Sequence, residues 1–324
     1  MELITEPNIQ NKKNIKKQFS RVGRYLLARE ILMLVGSVVI IFIFLIYKYI
    51  SNKGLSGSDI DKYFKDIVTN PLGSIGTVLC GFLPINYFIK KNIGKQCIIN
   101  ENKKFSIKTV MIFFVLLLGI NCSCGLISKL MEFILNDFGF TMKESETMLE
   151  GLNFPYMFIY VAIIGPIIEE LTYRGMVLRF LDKFDKGVAI VGSGVLFGLM
   201  HGNFYQIFMA IGIGIFLGYI AEEYSIKLTI LLHIINNTVS FGIDNLIEYL
   251  GNSNIVRLAI NGGIIVITIL TLIILSVKNK EKIAEAFNKY KAEKSMCLYF
   301  FSRVSIILVI IVNLVEACSQ ISKL

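Results

Sequence analysis

The chain has 324 residues, 54% of them hydrophobic and only 18% charged, with a formal net charge of +9. Soluble globular chains are about 45–50% apolar and about 25% charged, so an ordinary water-soluble domain is excluded. The positive charge does not mark a nucleic-acid binder, because the basic residues flank apolar blocks and form no patch with interleaved stacking aromatics.

The apolar excess sits in blocks such as Ile31–Ile46, Val110–Ile120, Tyr156–Ile168 and Gly262–Leu275. With their flanks these reach roughly 20 residues, the helix length that crosses a ~30 Å hydrocarbon core. They lack period-2 alternation, and lipid leaves only helices or closed barrels, so the fold class expected is all-α, a polytopic integral membrane protein of about eight helices. Residues 1–29, with Lys12, Lys13, Lys16, Lys17, Arg21, Arg24 and Arg29, are expected to stay cytoplasmic. Membrane helices are expected near 30–48, 71–90, 107–135, 154–182, 187–202, 206–222, 228–248 and 256–277, with a ninth candidate near 296–317. The chain divides accordingly into a basic segment 1–29, amino-terminal helices 30–150, a core 151–248 and carboxyl-terminal helices 249–324. Within the last part, 278–294 reads as a charged helix at the membrane surface, with Ile283, Ala286, Phe287 and Tyr290 at helical spacing.

The loops agree with an amino terminus inside. The second carries Lys90, Lys91, Lys95, Lys103, Lys104 and Lys108; the third is acidic, with Asp137, Glu144, Glu146 and Glu150 against Lys143. The fourth carries Arg179, Lys183 and Lys186, and the last long loop six lysines from Lys278 to Lys294. Each lies where the positive-inside rule requires. The usage of 26 Lys against 7 Arg, with abundant Ile and Asn, suggests an AT-rich bacterium and hence a plasma membrane. The six cysteines read as buried apolar filler, since Cys122 and Cys124 are too closely spaced for a usual zinc pair. No cleavable signal peptide is expected: the first apolar block runs too long and has no small-residue cleavage site behind it.

Ionisable groups inside a span cost at least ~2.5–3.5 kcal/mol on insertion scales, so each is a functional candidate. They cluster in three consecutive stretches. The first runs Glu169-Glu170-Leu171-Thr172-Tyr173-Arg174. Adjacent carboxylates on a helix point about 100° apart, while Glu170 with Arg174 and Glu169 with Tyr173 are four apart and share a face. The second is Phe197 to His201, the third His233 to Asn237, again four apart. These are the only two histidines in the protein. Peptide hydrolysis in a dry site needs water, a base and donors for the developing oxyanion, and these side chains supply them. Ser193 and Ser240 lie nearby in sequence but lack the setting of a nucleophile, so activated water is the preferred reading.

The ordered motifs Glu-Glu-x-x-x-Arg, Phe-x-x-x-His and His-x-x-x-Asn resemble the CAAX-protease and bacteriocin-processing (Abi, CPBP) family of intramembrane peptidases, relatives of the type II CAAX prenyl endopeptidases. The resemblance covers roughly residues 154–245. It implies that Glu169 activates water with help from His201, that His233 and Asn237 stabilise the oxyanion, and that Glu170, Arg174, Tyr173 and Phe197 support the site. The implied partners are a membrane-bound or hydrophobic peptide substrate and the bilayer, with no nucleic acid. No obligatory cofactor is expected; a His₂Glu zinc site is the alternative, against which the absence of a His-Glu-x-x-His helix counts. Two other readings remain open on the sequence: a non-catalytic immunity or scaffold protein of the same fold, and a proton-coupled transporter. One mismatch needs resolving, since His201 falls about 14 residues, or ~21 Å, into its expected helix, while Glu169 and His233 lie nearer the cytoplasmic end. Gly212, Gly214 and Gly218 would allow the following helix to approach closely.

Overall fold

A computed structural model describes residues 9–51, 71–94, 101–142, 156–251 and 253–324. The described helices are α1 (Ile9–Ser51), α2 (Pro71–Asn92), α3 (Ile107–Asp137), α4 (Tyr156–Leu181), α5 (Lys186–Leu199), α6 (Phe204–Glu223), α7 (Ile226–Tyr249), α8 (Asn254–Lys278), α9 (Lys280–Lys289), α10 (Lys294–Phe301) and α11 (Val304–Ser319). Two short strands, β1 (Phe140–Thr141) and β2 (Ser322–Lys323), pair antiparallel. Cys97 and the acidic residues Glu144, Glu146 and Glu150 lie outside the described residues.

The protein is a multi-pass helical membrane protein. Seven of its described helices are long and apolar enough to cross a bilayer, and an eighth span exists if α10 and α11, bent by 70° at their junction, count as one. Their outer faces are apolar and exposed, as on α1 from Ile31 to Ile50 and on α8 from Val266 to Val277. That is the arrangement lipid requires.

Local capping sets the boundaries. Asp185 accepts from the Val188 backbone N–H at 2.7 Å, Asn203 from Gln206 at 2.8 Å and Ser225 from Leu228 at 3.2 Å. These caps start α5, α6 and α7 one or two residues before the apolar pattern begins, because a short polar side chain satisfies the free donors of a first turn.

Two expectations need correction here. The helix expected over 187–202 is α5, whose 14 residues span only about 21 Å, short of the bilayer. It stops where Gly202 takes a positive φ of 59° and the chain turns into α6. Both far ends of this hairpin meet, since Lys186 Nζ lies 3.2 Å from Glu222 Oε2. Residues 9–29, expected as part of a separate amino-terminal segment, are continuous with the first span. One helix runs unbroken from Ile9 to Ser51, and Arg29 is buried inside the protein. Arg29 reads in sequence as one more basic residue of that segment, whereas α2 packs on it, a Cβ on Gly81 coming within 3.3 Å of its Cγ.

The hairpin closes tightly. A Cβ on Gly214 would lie 2.7 Å from the Gly194 carbonyl oxygen and 3.0 Å from Phe197 Cδ1, so α5 and α6 touch backbone to backbone there. Gly212 instead faces Ile120 on α3, and Gly218 makes only ordinary contact with Ile190. The cysteines are not buried filler: Cys80, Cys122, Cys124 and Cys297 are half-buried and Cys318 is exposed, because their helix faces turn partly to lipid. Helix α9 is docked rather than free, with Lys289 Nζ and Tyr290 Oη both 2.7 Å from Glu223 Oε1, although Phe287 stays exposed.

Candidate active site

Helix α4 is irregular at the residues of interest. Two π-helical stretches, Tyr160–Ile164 and Leu171–Leu178, flank the α-helical Gly165–Glu170. The wider turn has a sequence cause: the Gly165 N–H reaches back five residues to the Tyr160 carbonyl, and Pro166 has no N–H to give. The Val161 carbonyl is therefore left to another donor, and Asn237 Nδ2 on α7 occupies it at 3.0 Å.

Glu170 and Arg174 are completely buried, with Nη1 2.8 Å from Oε1, and Arg174 Nη2 donates to the Gly214 carbonyl at 2.9 Å. Its guanidinium also stacks on Phe197, 4.5 Å from the ring centroid. The same Glu170 Oε1 lies 3.0 Å from His233 Nδ1. The other imidazole nitrogen, His233 Nε2, lies 3.7 Å from Glu169 Oε2. The two adjacent carboxylates thus take opposite sides of one ring. They differ in access: the Glu169 side chain is 21% exposed and that of Glu170 not at all.

Phe197 is the hub around which the rest packs. Its ring meets His201, His233 and Tyr173 edge-on at 5.1, 5.7 and 5.5 Å. His201 lies in the turn beyond α5 and folds back so that Nδ1 is 3.0 Å from the Phe197 carbonyl. It lies within electrostatic reach of Glu169 and His233. Tyr173 turns to Phe197, and no hydrogen bond joins it to Glu169 among the described residues. Glu169, Glu170, Arg174, Tyr173, Phe197, His201 and His233 are thus gathered in one place, and Asn237 braces the same helix from one turn further along α7.

Both histidines have an acceptor at Nδ1, a carboxylate for His233 and a carbonyl for His201. The proton therefore belongs on Nδ1, leaving each Nε2 as a base when the ring is neutral and a donor when it is charged.

Other helices contribute side chains that the motifs do not contain. Asn121 Nδ2 on α3 donates to Asn236 Oδ1 at 2.7 Å, and Asn236 Nδ2 to Asn237 Oδ1 at 3.3 Å. This chain fixes which end of the Asn237 amide faces Val161. Arg29 of α1 pairs with Glu30, has its Nη2 3.9 Å from Met200 Sδ, and lies within electrostatic reach of Tyr173 and Glu169. Glu316 of α11 packs against Gly202, where a Cβ would come within 2.6 Å of its Cδ. Asn121 and Glu316, polar residues within apolar stretches, were detectable from sequence; Arg29 carried no such signal.

Residues 151–239 match the family described as type II CAAX prenyl endopeptidase, Rce1-like. Over this segment the chain is similar to that family. No curated protein and no solved structure matches the chain. The Rce1-like segment contains every residue of the three motifs, whereas Arg29, Asn121 and Glu316 lie outside it. Among the described residues no group of three or more His, Cys, Asp or Glu side chains is placed to hold a metal ion. His233 Nδ1 faces Glu170 and His201 Nδ1 a carbonyl, which leaves Nε2 of each ring as the nitrogen open to a water, a substrate or an ion.

Proposed function

We propose that this protein is an intramembrane endopeptidase that hydrolyses a peptide bond of a membrane-associated or hydrophobic peptide with activated water. The observation that carries this reading is the bracketing of His233 by Glu170 on Nδ1 and Glu169 near Nε2. Similarity to a protease family over 151–239 supports it.

The roles divide by access and pairing. Glu170 is committed to Arg174 and His233, so it positions the ring. Glu169, partly open and without a bonded cation, is the base that removes a proton from water as the hydroxide adds to the scissile carbonyl. His201, through Nε2, shares that proton and returns it to the departing amine. His233, when charged, and the second N–H of Asn237 donate to the oxyanion. No step requires a metal. The lysine-rich loops favour an amino terminus on the cytoplasmic side of a bacterial plasma membrane.

The test compares peptides in membranes of cells producing the wild-type protein or Glu169→Gln at equal level. Peptides that are products of cleavage should be present with the wild type and missing with the variant; identical peptide sets would end the peptidase reading.

A further inference from the structure

A concentration of positive charge lies away from the Rce1-like site. Lys12, Lys13, Lys16, Lys17, Ser20 and Arg303 line a cleft of about 480 Å³ between the first turns of α1 and the bend joining α10 to α11. No carboxylate lines it. Lys13, Lys16, Lys17 and Arg303 form no ion pair among the described residues.

Basic residues at the end of a span usually splay apart, because like charges four apart on a helix repel. Here the walls hold them together. The Lys16 ammonium lies over the Tyr299 ring, 4.6 Å from its centroid. Arg303 Nε donates to the Tyr299 carbonyl at 2.9 Å and Nη2 to Ser302 Oγ at 2.7 Å, so the guanidinium is fixed at the bend. Ser305 Oγ donates to the Ser20 carbonyl at 3.0 Å, and Gly23 packs directly on Ser305. Behind the cleft, Phe19 meets Phe300 and Phe184 edge-on at 5.5 and 5.4 Å. Two rigid walls therefore present several cations to one space.

Its level in the bilayer identifies the occupant. Directly after Arg303, α11 turns an apolar face outward, with Val304 72% exposed and Leu298 of α10 67% exposed. The cleft thus opens where the lipid-facing surface begins, at headgroup depth. We infer that it is a binding site for the headgroup of an anionic phospholipid, whose acyl chains would run along α11. A phosphodiester could accept from Lys16 and Arg303 at once through its two free oxygens, and juxtamembrane basic clusters attract anionic lipid in this way. A soluble phosphate shares the charge but gains nothing from the apolar face.

The test uses the full-length protein in neutral detergent and is independent of peptidase activity. Bound lipid is counted by native mass spectrometry during titration with phosphatidylglycerol, phosphatidylcholine or inorganic phosphate. Phosphatidylglycerol should be retained at least ten-fold more strongly than phosphatidylcholine, and millimolar phosphate should not displace it. Lys16→Gln/Arg303→Gln should reduce retention to the phosphatidylcholine level, whereas Lys278→Gln/Lys280→Gln should leave it unchanged. Unaltered phosphatidylcholine retention and far-ultraviolet circular dichroism would show that the first variant is folded. Equal retention of the two lipids, no loss in the Lys16/Arg303 variant, equal loss in the Lys278/Lys280 variant, or displacement by phosphate would overturn the inference.

Discussion

Glu170 Oε1 lies 3.0 Å from His233 Nδ1 and ties α4 to α7 through a charge-assisted contact sealed from lipid and water. The same oxygen holds Arg174, so one atom serves two donors. Removing one partner of a buried pair strands the other, which costs about 3–5 kcal/mol. Arg174→Leu should therefore lower the thermal unfolding midpoint far more than Glu170→Leu/Arg174→Met, which removes both charges. Equal midpoints for the two variants would contradict this account.

Glu169 and Glu170 are neighbours with different burdens. Glu169→Gln should leave the unfolding midpoint near wild type, because its side chain is partly exposed and pairs with no fixed cation, yet should eliminate cleavage. Glu170→Gln should reduce both. A Glu169→Gln protein that still cleaves would move the base elsewhere.

The asparagine chain makes a prediction about coupling. Asn121→Leu leaves Asn236 Oδ1 without its donor, and an unmet buried polar group costs about 1–3 kcal/mol. Once Asn237 is replaced by Ala there is nothing left for Asn236 to orient. The effect of Asn236→Leu on turnover should then shrink in the Asn237→Ala background, and full additivity of the two substitutions would refute the relay.

The three motifs were readable because charge in an apolar helix is conspicuous, and spacing of four placed each pair on one face. What was not readable follows from geometry that spacing cannot encode. The widened turn at Tyr160–Ile164 goes with Pro166 withholding an N–H at one position, and the placing of consecutive glutamates on opposite sides of His233 depends on how α7 packs against α4. The early stop of α5 depends on the turn at Gly202. Arg29 reads as one of seven basic residues before the first span, because its burial comes from packing by α2 and Met200, which are distant in sequence. Seven of the eight expected spans were legible in the apolar pattern, whereas the caps at Asp185, Asn203 and Ser225 set helix starts that hydropathy alone does not mark.

Close packing of the hairpin is testable with one methyl group. Gly214→Ala would press on the Gly194 carbonyl at 2.7 Å, and such overpacking costs about 1–3 kcal/mol. It should also disturb the Arg174 bond to the Gly214 carbonyl. Gly262→Ala on α8, where an added Cβ meets nothing within 4 Å, should change the midpoint little. Similar losses at both positions would argue against a specific contact.

The docking of α9 rests on Glu223. Burial and this carboxylate push the Tyr290 phenol above its ordinary range, so the hydroxyl stays protonated and donating in moderately alkaline buffer. Tyr290→Phe should cost about 1 kcal/mol, read as faster proteolytic cutting between residues 279 and 294. An unchanged cutting rate would show that the bond does not hold the segment.

The carboxyl end of the chain is built into the molecule. The β1–β2 pairing, with the Leu324 N–H bonded to the Gly139 carbonyl at 3.0 Å, fastens the last residues, and a few residues earlier Glu316 rests on the turn that carries His201. Loosening residues 322–324 would therefore let Glu316 shift against the turn from which His201 projects.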